Sequence, residues 1–381
     1  MAIKTVSNTG GNYNATGTWV GGVVPATTDI IEFTATSGNL TISAVATCAG
    51  INFTNYVGTI TINTSFNIKG NINFGTGGYN VAGSNTMYAA ATGTITSNGT
   101  PWKGNFGFAG SSQTYTLADD LTVNNTITVS VTTLCTVNGF NMYAKNNFNN
   151  ISAGSIVGTT NLFLIGTGTL NVVAGNFFIG LNTTINTLGT ITFGANGFKF
   201  GNGKTFTYIA GTVVSTTGLY LLGNCSLDIS NFTLANLIIS VPSTYTLLSP
   251  LNISGTFNVL NNATQTGSFG FTCGTLQMGQ GTLTLPPSVV NTVTTNMTNT
   301  IATLVFKGLI NCSTVGGTKA ILNLSQGATQ DNGYLSATDV DSSGGRSIWT
   351  YKGILTRTLN WNQMSTNPKK HVLNYRNRIL K

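Results

Sequence analysis

The feature that most limits the fold of this chain is that one stretch of it occurs twice. Tyr115 to Phe148 and Tyr245 to Met278 both open on Tyr-Thr-Leu. Each then alternates apolar residues with polar ones, at Leu121, Val123, Ile127 and Val129 in the first and Leu251, Ile253, Phe257 and Val259 in the second. Each crosses a polar Asn/Thr corner and restarts on Gly-Phe, at Gly139-Phe140 or Gly270-Phe271. Thr59 to Phe74 is a looser third copy carried by Ile60, Ile62, Phe66, Ile68, Ile72 and Phe74. A strand-length unit with period-two alternation has one apolar face to cover, and a chain that repeats the unit covers it with the next copy. The repetition predicts an all-β solenoid.

Composition supports strands throughout. Of 381 residues only 6% are charged and 41% are hydrophobic, with 47 Gly, 20 Phe and 12 Tyr. Helical domains carry more charge on their wet faces, and disordered chains lack the recurring Ile, Val, Leu and Phe seen here. From Leu40 to Leu324 short apolar runs are separated by Gly, Asn, Ser or Thr, with no helical pattern between them. That excludes alternating β and α units and leaves solenoid, sandwich or barrel. The close internal copies and the scarcity of outer-face charge favour a parallel solenoid. In such a stack like residues sit above like at roughly 4.8 Å, so charges would repel while Asn amides hydrogen-bond from coil to coil. A coil of roughly 20 to 30 residues gives about ten to fourteen coils and a rod of roughly 50 to 65 Å.

The chain reads as an arm and cap over 1–39, a body over 40–316, closing coils over 317–366 and a basic tail over 367–381. The entry holds Thr18-Trp19-Val20-Gly21-Gly22-Val23-Val24-Pro25 and then Asp29 to Phe33. Trp19 can cover the open end of a stack, Gly21 and Gly22 allow a tight turn, and Pro25 lacks a ladder donor. This opening resembles that of right-handed parallel β-helices in bacterial surface proteins and phage appendage proteins. Asp339-Val340-Asp341-Ser342 followed by Asn360-Trp361 resembles the closing coils of the same class. The resemblance covers the first turn and the last coils; that of the body is compositional. It implies a single-chain right-handed parallel β-helix capped by Trp19, Gly21, Gly22 and Pro25 and closed by Trp349 and Trp361. It also implies a homo-oligomer, with a trimer as one form.

Charge placement bears on partners. The formal charge is +8, yet before Thr300 the basic residues are only Lys4, Lys69, Lys103, Lys145, Lys199 and Lys204, each alone. No basic face for nucleic acid is expected. The remaining basic residues crowd the end, where Lys369, Lys370, Arg376 and Arg378 are interleaved with the apolar anchors Val372, Leu373, Tyr375, Ile379 and Leu380. That tail is either a solvated end or a docking peptide, and the even interleaving favours docking. Cys48, Cys135, Cys225, Cys273 and Cys312 are odd in number and without local pairs, so free buried thiols are expected. His371 is the only histidine, which leaves no zinc site. No apolar run reaches about 18 residues, so no membrane span is expected, and Met1 is followed by no run of signal-peptide length, which predicts synthesis in a cytosol.

The candidates for chemistry each meet a simpler reading. A glycosidase needs two carboxylates about 5 to 10 Å apart. Asp119 and Asp120 are adjacent at a corner, and their counterparts in the second copy are Ser249 and Pro250, which reads as turn chemistry. Asp339, Asp341, Ser343 and Gly344 imitate a calcium loop, but its twelfth position is Thr350. Gly201 to Thr205 imitates a phosphate loop, but Phe198 stands where a Gly is needed. Trp102, Tyr79, Tyr88 and Phe108 lie at Gly-rich corners, as exposed sugar platforms or as packing and capping rings. No catalytic, cofactor-binding or metal residue is assigned. These features together suit a structural virion protein of a bacteriophage (tail fibre, spike or head-surface appendage), made in the host cytoplasm and bound to other virion proteins through its tail. A host surface glycan is a further candidate partner. The alternatives are a cell-surface adhesin or carbohydrate-binding β-helix at the bacterial surface, and a polysaccharide depolymerase.

Overall fold

In a computed structural model the described residues are 1–299 apart from 153, 173–177, 202, 279–282, 285, 287 and 288, and beyond these only the strands Leu309–Asn311, Ile321–Leu324, Tyr334–Ser336 and Ile348–Tyr351. Trp361, Cys312 and the tail residues Lys369, Lys370, Tyr375, Arg376 and Arg378 lie outside them. The chain divides into two compact units, Met1–Thr217 and Gly218–Lys381.

In the first unit every strand ladder is parallel, and three ladders run side by side. One passes from Ile3–Thr5 through Ile30–Phe33, Gly50–Phe53, Ile72–Asn73, Gly93–Thr96 and Thr114–Leu117 to Leu134–Gly139. A second links Ala46–Cys48, Phe66–Ile68, Thr86–Ala89, Asn105–Ala109, Ile127–Ser130 and Phe148–Asn150. The third holds Gly11–Asn12, Leu40–Ile42, Thr59–Ile62 and Asn80–Ala82 and, further on, Leu121–Val123 and Met142–Ala144. A typical coil therefore supplies one strand to each of three faces, and in the coil of Gly93–Thr96 and Asn105–Ala109 an isolated bridge from Trp102 to Val123 stands in for the third. The second unit repeats the plan: Cys225–Asp228, Ser243–Leu247, Ala263–Thr266 and Leu283–Thr284 form one of its ladders. A coil takes 20 residues between Leu251 and its partner Phe271, and 25 between Leu309 and Tyr334. Both units are thus parallel β-helices, as the internal copies predict.

The alternation that marks the strands is what fills the core. In Thr59–Ile62, Ile60 and Ile62 are buried while Thr59 and Thr61 face outward, and in Ser243–Leu247, Tyr245 and Leu247 are buried while Thr244 and Thr246 face outward. Inward rings stack between coils: Phe33 on its register partner Phe53 at 4.7 Å, Phe53 on Tyr79 at 4.8 Å and Phe74 on Trp102 at 5.1 Å. Such pairs add about 0.5–1.5 kcal/mol each beyond the area they bury. Of the two readings of the corner aromatics this supports packing for three, since Trp102, Tyr79 and Phe108 are each 0% exposed and belong to the core. A strand that turns at a glycine can send its next ring inward as readily as outward.

The two copies share their geometry, with a shift. Tyr115 and Tyr245 are both fully buried in equivalent strands. The glycine that follows is left-handed in both, Gly139 at φ 100 and Gly267 at φ 92. A Cβ there would stand 2.2 Å from Leu117 O in the first copy and 2.4 Å from Leu247 O in the second, so both positions need glycine. The Gly-Phe restart is not equivalent, because Phe140 is 55% exposed while Phe271 is 1% exposed and pairs with Leu251. Met142, the register partner of Leu121, takes Phe271's place in the first copy. The segment after Pro286-Pro287, readable as a loop or one more coil, contains the strand Val290–Asn299, paired with Phe271–Met278.

Candidate functional site

The outward face of the stack carries few charges, and much of its hydrogen-bonding capacity is directed along the stack. The recurring device is an Asn whose Oδ1 accepts the backbone N–H of a Thr one coil later. Asn39 accepts from Thr59 at 2.8 Å, Asn71 from Thr94 at 2.9 Å, Asn138 from Thr159 at 3.1 Å and Asn147 from Thr169 at 2.7 Å. Asn182 does the same for Thr205, Asn224 for Thr244 and Asn236 for Thr256. Thr59, Thr94, Thr169, Thr205 and Thr244 lie at or beside strand starts, and Thr159 and Thr256 at register shifts within strands. There the ladder is interrupted, and the carboxamide supplies the donor's partner. Amides also bond to one another, with Asn161 Nδ2 donating to Asn141 Oδ1 at 3.0 Å and Asn182 Nδ2 to Asn161 Oδ1 at 3.1 Å.

The adjacent carboxylates serve the same end. Asp119 accepts from the N–H groups of Ser97 and Asn98 in the preceding coil, both at 2.6 Å. Asp120 accepts from the Asn141 N–H in the next coil at 3.0 Å. The pair thus ties three coils together in opposite directions. Its counterpart Ser249 accepts the buried Ile229 N–H through Oγ at 2.7 Å, so an uncharged acceptor can hold the same place. Asp29 is another backbone clamp: Ala2 and Ala26 donate to its two oxygens at 2.9 and 3.0 Å, which holds its carboxyl below the usual carboxylate range.

At the entry, Trp19 is 2% exposed, donates Nε1–H to Tyr13 O at 2.8 Å and meets the Tyr13 ring edge-on at 5.3 Å. Val6 and Trp19 form an antiparallel bridge, unlike the parallel ladders around it. Gly21 and Gly22 have φ of 83 and 66, and Pro25 is buried. Trp349 lies in Ile348–Tyr351, which pairs with Ile321–Leu324. Gly203 stands at a corner with φ 70, between Phe198–Phe200 and Lys204–Val214. Lys199 is 5% exposed, and desolvation holds its ammonium below the usual lysine range. Cys48, Cys135, Cys225 and Cys273 are buried and outside any disulfide, and desolvation pushes the first three thiols up to about 12. Among the described residues no three His, Cys, Asp or Glu side chains are placed to hold a metal, and no helix is long and apolar enough to cross a membrane.

Two features lay outside the sequence reading. One is the Asn-to-Thr pairing, whose only linear signal is a spacing of 20 to 23 residues. The other is an outward aromatic pair: Tyr143 and Phe163, register partners in adjacent coils, stack at 5.0 Å with their planes 16° apart. No known family model, curated protein or solved structure matches the chain.

Proposed function

We propose that the chain is a structural component of a bacteriophage virion, a tail fibre, spike or head-surface appendage, whose work is mechanical. The observation that carries this reading is the direction of the surface hydrogen bonds. The Asn carboxamides and the Asp119–Asp120 pair are engaged from coil to coil, which stiffens each stack and leaves those acids tied to backbone donors. No catalytic step enters the reading. In it the tail residues Lys369, Lys370, Tyr375, Arg376 and Arg378 dock the chain on other virion proteins, and copies of the chain associate, a trimer being the form the resemblance implies.

The test is immunogold labelling of purified particles with antibody to this chain, alongside a chain lacking 367–381. The reading expects labelling at one type of position on the particle, and particles without label when the shortened chain is supplied. Label on uninfected cells and none on particles would overturn it. That outcome belongs to the second reading, an adhesin or carbohydrate-binding β-helix at a bacterial surface, which the outward Tyr143–Phe163 pair favours.

A further inference from the structure

We infer that the face carrying Tyr143 and Phe163 binds a neutral glycan, whose sugar rings continue the aromatic column along the stacking direction. The inference rests on the second reading above, a carbohydrate-binding β-helix, and deepens it by giving it a site and a ligand class.

Two outward columns run along this face of the first unit. One holds Thr122, Tyr143, Phe163, Thr184 and Thr207, each the register partner of the next. The other, two residues earlier in each strand, holds Asn141, Asn161 and Asn182, joined by their amide bonds. Period-two alternation puts both columns on the solvent side, while Met142, Leu162 and Thr183 between them are buried. The two rings are half-buried and lie nearly parallel, so each turns one face to its partner and the other along the column. The next residues on either side are threonines, whose short side chains leave a shelf beyond each outer face. Most other large rings of this unit point into the core, as Trp102, Phe106 and Phe108 do.

The chemistry beside the rings selects the ligand. A carboxamide has two N–H donors and a carbonyl with two acceptor sites. Asn161 Nδ2 and Asn182 Nδ2 each place one donor on the preceding amide, and each carboxamide has a second N–H. Asp120 is engaged by the Asn141 N–H, and its second oxygen lies 3.4 Å from the Tyr143 hydroxyl. The surface therefore offers aromatic faces flanked by amide donors and acceptors, with the single carboxylate of Asp120 at one end. Sugars match that set, because their C–H faces pack on aromatic rings while their hydroxyls both donate and accept. A nucleic acid would require a basic surface, and Lys145 is the one basic residue in the strands and corners from Thr122 to Thr184. A second copy of the chain would bring the same threonines and amides without the apolar area that a stable interface buries.

The test uses the full chain in native affinity gels that hold a soluble β-glucan, a galactomannan or a xylan, with alginate as the anionic control. The inference expects retardation by at least one neutral polymer and a loss of tenfold or more in affinity for Tyr143→Ala and for Phe163→Ala. Both sites are outward, and unchanged circular dichroism would show the stack intact. Thr184→Tyr, which lengthens the column, should strengthen retardation. No retardation by any neutral polymer, retardation by alginate alone, or retardation of both alanine variants equal to that of the unsubstituted chain would overturn the inference. So would sedimentation showing self-association that those variants abolish. Failure here with labelled particles would remove the site and leave the virion reading; binding here with unlabelled particles would do the reverse.

Discussion

Removing one carboxamide should loosen one junction between coils and leave the others intact. In Asn147→Ala the backbone N–H of Thr169 loses the acceptor that holds it at 2.7 Å from one coil to the next. A protein hydrogen bond contributes about 0.5–1.5 kcal/mol net, and a donor left partly buried costs about 1–3 kcal/mol. Both residues are half-buried, so water replaces part of the loss and about 1 kcal/mol remains. That is about fivefold in the local opening equilibrium. Because each coil of a solenoid rests mainly on its neighbours, the effect should stay near the junction. Hydrogen exchange read by mass spectrometry on peptides spanning Thr169 measures it directly. The expected result is exchange about fivefold faster there and unchanged around Asn39 and Thr59, which make an equivalent pair elsewhere. Asn147→Asp should keep the protection, since a carboxylate can occupy such a place, as Asp120 does for the Asn141 N–H. Unchanged exchange at Thr169 in the alanine variant, or equally fast exchange in both variants, would refute the reasoning.

Gly75→Ala should destabilise the first unit severely, because φ is 61 and the added Cβ would fall 1.6 Å from Phe53 O; Gly99→Ala, at φ 72 with open space around it, should cost only about 1 kcal/mol. Chemical denaturation of the two variants checks the contrast, and equal midpoints would contradict it. The thiols of Cys48, Cys135 and Cys225 are raised to about 12 by burial. They should resist a charged thiol reagent at pH 8 in the native chain and react once denaturant is added. Since the folded values lie above the unfolded value of 9.0, their contribution to stability is full below about pH 9 and is lost between pH 9 and 12, so the unfolding midpoint should fall across that window.

The strands were legible because alternation of apolar and polar residues is a local signal. Thr59 to Phe74, read as one copy of the repeat, resolves into Thr59–Ile62, Phe66–Ile68 and Ile72–Asn73. Where a corner is replaced by an irregular extended segment the signal fails. Ile179–Phe193 runs 15 residues, with register shifts near Asn186, where short runs between corners were expected. Glycine-rich corners left ring direction open, which is why Trp102 could be read either way. The Asn-to-Thr bonds were invisible for a different reason. Each joins residues about 20 or more apart in a chain filled with both types, so no local window contains the pair. Tyr143 and Phe163 meet only because their coils share a register, which a single strand does not disclose.

Register is also where the account is most exposed, and disulfide trapping reads it directly. Thr116 and Asn138 are partners in adjacent coils, while Thr94 is the partner of Thr116 on its other side. Adjacent strands stand roughly 4.8 Å apart, within the range a disulfide spans, and strands two coils apart stand at about twice that. Oxidation should close an intramolecular disulfide in Thr116→Cys/Asn138→Cys and none in Thr94→Cys/Asn138→Cys. Closure of the second pair, or of neither, would contradict the in-register parallel stack.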